Sequence, residues 1–253
     1  MGFFDFLNPL MNFIFGPLLY LPPLLAVVLI SFLLSLLITV VYKYTTDQNL
    51  MKQMKTEMKE LQTQMKTMQQ HPEKMKEAQG KFMQINGKFM MESMKPTLFY
   101  FIPIILIFGW LNANMAFEPL MPGQEFTATL ALDSGVSGNI SIDVPAGISV
   151  VGEKVKQANN GHVIYTLKGN EGDYLVSFDA NGKRYDKELI VSNSRKYAEV
   201  VKTINDKTVK TITLSNKPTN VINLFGFQLG WLGTYILSSI LFGMGLRKLM
   251  KVY

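Results

Sequence analysis

The sequence predicts a membrane-anchored helical protein carrying an inserted all-β domain of immunoglobulin-like sandwich type, and three observations lead there. Long apolar runs without charge cover residues 24–42 and 97–117 and recur in 219–246. Lysine and methionine crowd the stretch between the first two runs. Residues 118–218 then change to short alternating runs separated by turn residues, the pattern of an antiparallel β-sandwich. With 48% hydrophobic residues among 253, the chain does not read as one ordinary soluble domain.

Residues 1–23 contain no Lys or Arg and are rich in Phe and Leu. A secretory signal needs a basic start, so the segment reads as an amphipathic interfacial helix on the outer leaflet, ended by Pro22-Pro23. Its polar face is thin, and a plain apolar leader is the alternative. Residues 24–42 are nineteen residues without a charge, about 28 Å as a helix and enough to cross the hydrocarbon. Lys43 ends this first span.

Residues 43–96 predict a coiled-coil hairpin. Met51, Met54, Met58, Leu61, Met65 and Met68 recur at alternating spacings of three and four, the a/d seam of a coiled coil. His71-Pro72 breaks the pattern and supplies the turn, since proline cannot donate a helical hydrogen bond. A second seam follows through Met75, Ala78, Phe82, Ile85 and Phe89. Both ends of such a hairpin return to one membrane face.

The second span, 97–117, carries Pro103, which kinks the helix or leaves a carbonyl for a neighbour to satisfy. In the β-domain, 118–218, Asn181-Gly182 between two alternating runs is a two-residue hairpin signal. Gly172-Asp173-Tyr174 at a strand head has the look of the tyrosine corner of immunoglobulin-like sandwiches. The third span falls in 219–246, with its apolar run from residue 224, and a basic tail at 247–253 closes the chain with Arg247, Lys248 and Lys251.

Charge distribution orients the chain. Residues 43–95 hold ten lysines against six acidic residues, whereas 118–218 hold twelve of each sign. The excess cation sits beside the membrane, so the positive-inside rule puts hairpin and C-terminus in the cytoplasm and the N-terminus and β-domain outside, in the cell membrane. Asn139-Ile140-Ser141 is a glycosylation triplet on that outer side.

Candidate site residues come from polar groups inside the spans. Ser31, Ser35 and Thr39 stand four apart on the first; Thr234 and Ser238 repeat the spacing on the third, with Gln228 nearer its outer end. Such hydroxyls line a wet groove or tie helices together. No Asp, Glu, Lys, Arg or His falls within a predicted span, which disfavours proton relays, coupled transport and voltage sensing. Ten of the sixteen methionines lie between Met51 and Met94, and the irregular trio Met90, Met91 and Met94 beside the membrane suits contact with apolar clients. Cysteine is absent and the two histidines are far apart, so no metal, cofactor or enzymatic activity is expected.

A span, a charged helical hairpin with a proline break and Lys-Pro leading into a second span resemble the YidC-type membrane protein insertase superfamily. The phrases MKQMKTEMKELQTQMKTMQQHPEKMKEAQGKFMQINGKFMMESMKPTLFYFIPIILIFGWL and WLGTYILSSILFGMGLRKLM look most like its archaeal three-span branch, related to the insertase subunit of the endoplasmic-reticulum membrane complex. The resemblance covers the helical parts and implies a groove open to cytoplasm and lipid. Bacterial relatives carry a cation in that groove; here Lys43 and Arg247, at span ends, are the partial substitutes. The implied function is an insertase or chaperone that moves short polar flanks of client transmembrane segments across the bilayer. Its partners are nascent chains, lipid and a ribosome or other targeting factor, with no DNA and no small-molecule substrate. A membrane-anchored scaffold using the β-domain and a small ion channel are the alternatives.

Overall fold

The computed structural model describes residues 8–67, 72–158, 161–204, 206–224 and 226–252. His71 and Met68 of the expected turn and seam, and residues 1–7 of the expected interfacial helix, lie outside them. The chain divides into two compact units, one of residues 1–109 with 232–253 and one of residues 110–231.

The first unit opens with α1 (Asn8–Phe15) and a short 3-10 helix (Gly16–Tyr20). Pro22 and Pro23 then start α2 (Pro23–Thr45), Pro23 standing in the first turn where its missing N–H costs nothing. One stripe of α2, Ala26, Val27, Ile30, Ser31, Leu34, Ser35, Thr39 and Tyr42, is buried. Leu25, Leu29, Leu33 and Leu37 line an exposed stripe, the division a helix shows when one face meets protein and the other meets lipid. Thr46 ends α2 by turning extended while its hydroxyl donates to the Tyr42 carbonyl at 2.6 Å.

Asp47 caps α3 (Gln48–Thr67), its carboxylate accepting from the N–H of Asn49 and Leu50. α4 begins at Pro72 and runs to Met94. The two pack against each other, and of the expected seam residues Met51, Met54, Leu61 and Ala78 are buried, Met58, Met65, Phe82, Ile85 and Phe89 are half-buried, and Met75 is exposed. Lys95 pairs with Glu92 at 2.6 Å before α5 (Thr97–Met115), which stays helical across Pro103.

The second unit holds the β-domain. Its strands are β1 (Glu125–Leu132), β2 (Asn139–Asp143), β3 (Ile148–Val151), β4 (Val155–Gln157), β5 (His162–Gly169), β6 (Gly172–Ala180), β7 (Lys183–Val191), β8 (Val201–Thr203) and β9 (Val209–Leu214). They form two antiparallel sheets, ordered β3-β5-β1-β9-β8 and β4-β2-β6-β7. Alternate residues of both sheets enter one core around Tyr165, Phe178, Leu130, Ile140 and Leu189, so the sheets face each other as a sandwich. Asn181 at φ 55 and Gly182 at φ 73 make the two-residue turn between β6 and β7, both in the left-handed region that twisted hairpins need. Tyr174, near the start of β6, donates its hydroxyl to the Asn170 carbonyl at 3.1 Å across the corner from β5.

Lys187 is an exception in this core face. It sits between Tyr185 and Leu189 on β7 with 2% exposure, and its ammonium donates to the carbonyls of Glu188 and Glu199. Burial holds its pKa below the ordinary lysine value.

The third apolar helix differs from expectation. Residues 222–224 (β10) and 227–229 (β11) pair as an antiparallel hairpin, and α6 runs Trp231–Leu249. Gly226, at φ 88, makes the intervening turn, and Gly230 precedes the helix. Helix thus starts later and ends later than residues 224–246. Among the described residues α2 and α5 are long and apolar enough to cross a membrane; α6 falls short of that measure because three glycines, four hydroxyl-bearing residues, Arg247 and Lys248 dilute it.

Candidate functional site: a hydroxyl-lined groove

The site is built by two faces of the first unit. On α2 the four-residue spacing of Ser31, Ser35 and Thr39 puts all three on the buried stripe. α6 packs against that helix through Phe32 and Phe242, whose rings meet edge to face at 5.3 Å, and against α5 through Phe108 and Tyr235 at 4.8 Å. Between α2 and α6 a groove of about 330 Å³ remains, lined by Ser35, Ile38, Thr39, Tyr235, Ser239, Ile240, Gly243, Met244 and Arg247. That is room for several waters at about 30 Å³ each.

Its polar groups fall into three kinds. Ser35 donates across the helix pair to the Ser239 carbonyl at 3.5 Å. Thr39 donates to the Ser35 carbonyl one turn back at 2.7 Å, which leaves its oxygen lone pairs free to accept. Arg247 supplies the cation: it lies in the last turn of α6, where the helix dipole favours positive charge, and its guanidinium stands over the Tyr42 ring at 5.4 Å.

The expected residues are therefore partly brought together. Ser35 and Thr39 line the groove, whereas Ser31 is fully buried with its hydroxyl on the Val27 carbonyl at 2.7 Å. On α6 the hydroxyl-bearing lining residues are Tyr235 and Ser239, one position beyond Thr234 and Ser238; Thr234 is fully buried and Ser238 half-buried. Gln228 lies on β11, exposed, because the chain is still paired as strand there. Lys43 is half-buried in the last turn of α2 and does not line the groove. Arg247 does, since α6 continues three residues beyond Leu246. Sequence reasoning missed Tyr235, Ser239 and Gly243, although Tyr235 and Ser239 carry the same four-residue spacing that singled out their neighbours.

The hairpin presents exposed apolar side chains of its own. Met90, Met91 and Met94 near the end of α4 are 56, 72 and 64% exposed, and Leu98 and Phe99 at the start of α5 are exposed as well. Farther along α4 the surface is ionic: Lys81 pairs with Glu77 one turn away at 2.9 Å and holds that carboxyl below its ordinary pKa. Pro72 opens α4 as its first residue.

Comparison with known proteins bears on this arrangement. The family model for integral membrane proteins of EMC3/TMCO1-like type matches residues 9–138, just over half of the chain, from α1 to the loop after β1. Searches of curated proteins and of solved structures return no match. The chain belongs to the EMC3/TMCO1-like family of integral membrane proteins, within the YidC/Oxa1/Alb3 insertase superfamily.

Proposed function

We propose that this chain is an insertase with three membrane spans, α2, α5 and α6, that passes short polar flanks of client transmembrane segments through the groove between α2 and α6. The observation that carries the reading is the groove itself, in which hydroxyls and one guanidinium share a cavity between apolar helices. A charged side chain at mid-bilayer costs about 2.5–3.5 kcal/mol on insertion scales, and water held by Ser35, Thr39, Ser239 and Arg247 lowers that cost. The exposed methionines receive the apolar part of the client; unbranched, polarisable side chains adapt to varied sequences. Burial of the client's apolar surface in lipid then drives release, with no nucleotide and no covalent step.

In this reading the hairpin and C-terminus are cytoplasmic, the N-terminus and β-domain face outward, and the protein sits in the cell membrane. The β-domain is immunoglobulin-like. Supporting that assignment, β2, β6 and β7 share one sheet as strands C, F and G do, β1 and β5 share the other as B and E do, and Tyr174 makes the corner bond. β9 takes the place beside β1 where strand A lies in such domains.

Reconstitution tests the function. Proteoliposomes containing the protein should insert a single-span client with a short translocated tail faster than protein-free liposomes. Equal insertion in both removes the proposal.

A further inference from the structure

We propose that Tyr42 is a positioning residue that sets where the Arg247 guanidinium sits and links that position to the base of the helical hairpin. The functional consequence rests on the insertase reading; the linkage rests on geometry alone. Tyr42 is 7% exposed near the end of α2 and touches two elements at once. Its ring carries Arg247 at 5.4 Å, and its hydroxyl lies 3.2 Å from the Ser93 hydroxyl on α4. One rigid side chain therefore joins the groove's cation to the returning helix of the hairpin.

A second set of contacts reaches Arg247 from its backbone. After α6 the chain turns back at Lys251, whose φ of 54 is left-handed. The N–H of Val252 donates to the Arg247 carbonyl at 2.9 Å and that of Lys251 to the Lys248 carbonyl at 3.4 Å, the two bonds of a Schellman cap. This cap directs Val252 into a small core with Tyr42, Met51 and Met54, against which Met250, Ile85 and Phe89 also pack. The guanidinium is held through the Tyr42 ring and its main chain through Val252, and both holds end on residues at the base of α3 and α4. Docking of an apolar segment on the neighbouring methionines is thus coupled, through Tyr42, to the place at which Arg247 meets an acidic flank.

The test uses the full chain in proteoliposomes and two single-span clients whose translocated tails differ only in carrying acidic or neutral residues. The readout is the acidic-to-neutral insertion ratio. Tyr42→Leu should lower this ratio about fivefold, the factor that about 1 kcal/mol of cation–π interaction corresponds to. Tyr42→Phe, which keeps the ring, should retain it. In an Arg247→Gln background Tyr42→Leu should lower the ratio no further. An equal loss in both backgrounds overturns the proposal, as does an unchanged ratio in Tyr42→Leu. A measurement without clients separates this result from failure of the insertase reading: a cysteine at Met244, beside Arg247 in the groove, should react with a charged thiol reagent at a rate altered by Tyr42→Leu and by Val252→Asp. The same rate in parent and variants overturns the linkage.

Discussion

Ser35 on α2 donates its hydroxyl to the backbone carbonyl of Ser239 on α6, 3.5 Å away, and this polar tie lies in the wall of the groove. Two helices that meet through small hydroxyl residues approach closely at that point, while Gly243 one turn further leaves the space beside it open. A hydroxyl-to-carbonyl bond and a missing side chain therefore act together: the first ties the helices, the second keeps the gap between them.

Filling that gap is the most direct perturbation. A Cβ built on Gly243 meets nothing within 4 Å, so the side chain of Gly243→Leu starts into open space, and the substitution raises helix propensity. The variant is expected to fold with unchanged or higher thermal stability. Its client insertion should fall by about tenfold or more, because returning one charged group to hydrocarbon costs about 2.5–3.5 kcal/mol. Insertion kinetics and a melting curve on the same preparation check both halves.

Orientation is open to chemical labelling. The chain has no cysteine, so single cysteines report without background. Gln64→Cys on α3 and Lys168→Cys on β5 both sit at exposed positions. A membrane-impermeant reagent should label position 168 in intact cells and position 64 only after permeabilisation. The reverse pattern would invert the proposed topology.

The corner at Tyr174 should govern the stability of the β-domain. Gly147 has φ +99, and a Cβ there would stand 2.7 Å from the Tyr174 hydroxyl. Gly147→Ala therefore meets backbone strain worth about 1–3 kcal/mol and displaces the hydroxyl from the Asn170 carbonyl. Tyr174→Phe loses only the hydrogen bond, about 1 kcal/mol. Hydrogen exchange of β5 and β6 in the full chain should rank the variants wild type, Tyr174→Phe, Gly147→Ala from most to least protected.

Lys187 makes a pH prediction. Its folded pKa is lowered, first by burial, so between that value and the ordinary 10.5 the unfolded chain binds a proton that the folded chain does not. Stability of the β-domain should therefore rise as pH increases through this window. In Lys187→Met the contribution disappears, and urea midpoints across the same pH range should lose that rise.

Much of the helical unit was legible in the linear chain. The alternating three and four spacing of Met51, Met54, Met58 and Leu61 is a local property of a helix face, and of these Met51, Met54 and Leu61 are buried and Met58 is half-buried. Asn181-Gly182 is equally local, because few residues other than Asn and Gly enter the left-handed region without strain. The third helix was less legible. Residues 222–229 are apolar enough to continue a span, yet Asn223 and Gln228 pair across a strand register and Gly226 turns the chain. Hydropathy averaged over a window does not register that alternation.

Composition and spacing by themselves determined the two-part organisation, the hairpin and the stripe of hydroxyls on α2, since each depends on residues close in sequence. Rotation of α6 was decided in three dimensions. Successive helical residues point about 100° apart, so contacts of Phe242 with Phe32 and of Tyr235 with Phe108 select Tyr235 and Ser239 over Thr234 and Ser238 as groove lining. The same folding carries Arg247 from the expected tail into the groove wall beside Tyr42, because the end of a helix is set by the cap and core that receive it as much as by the charge of its last residues.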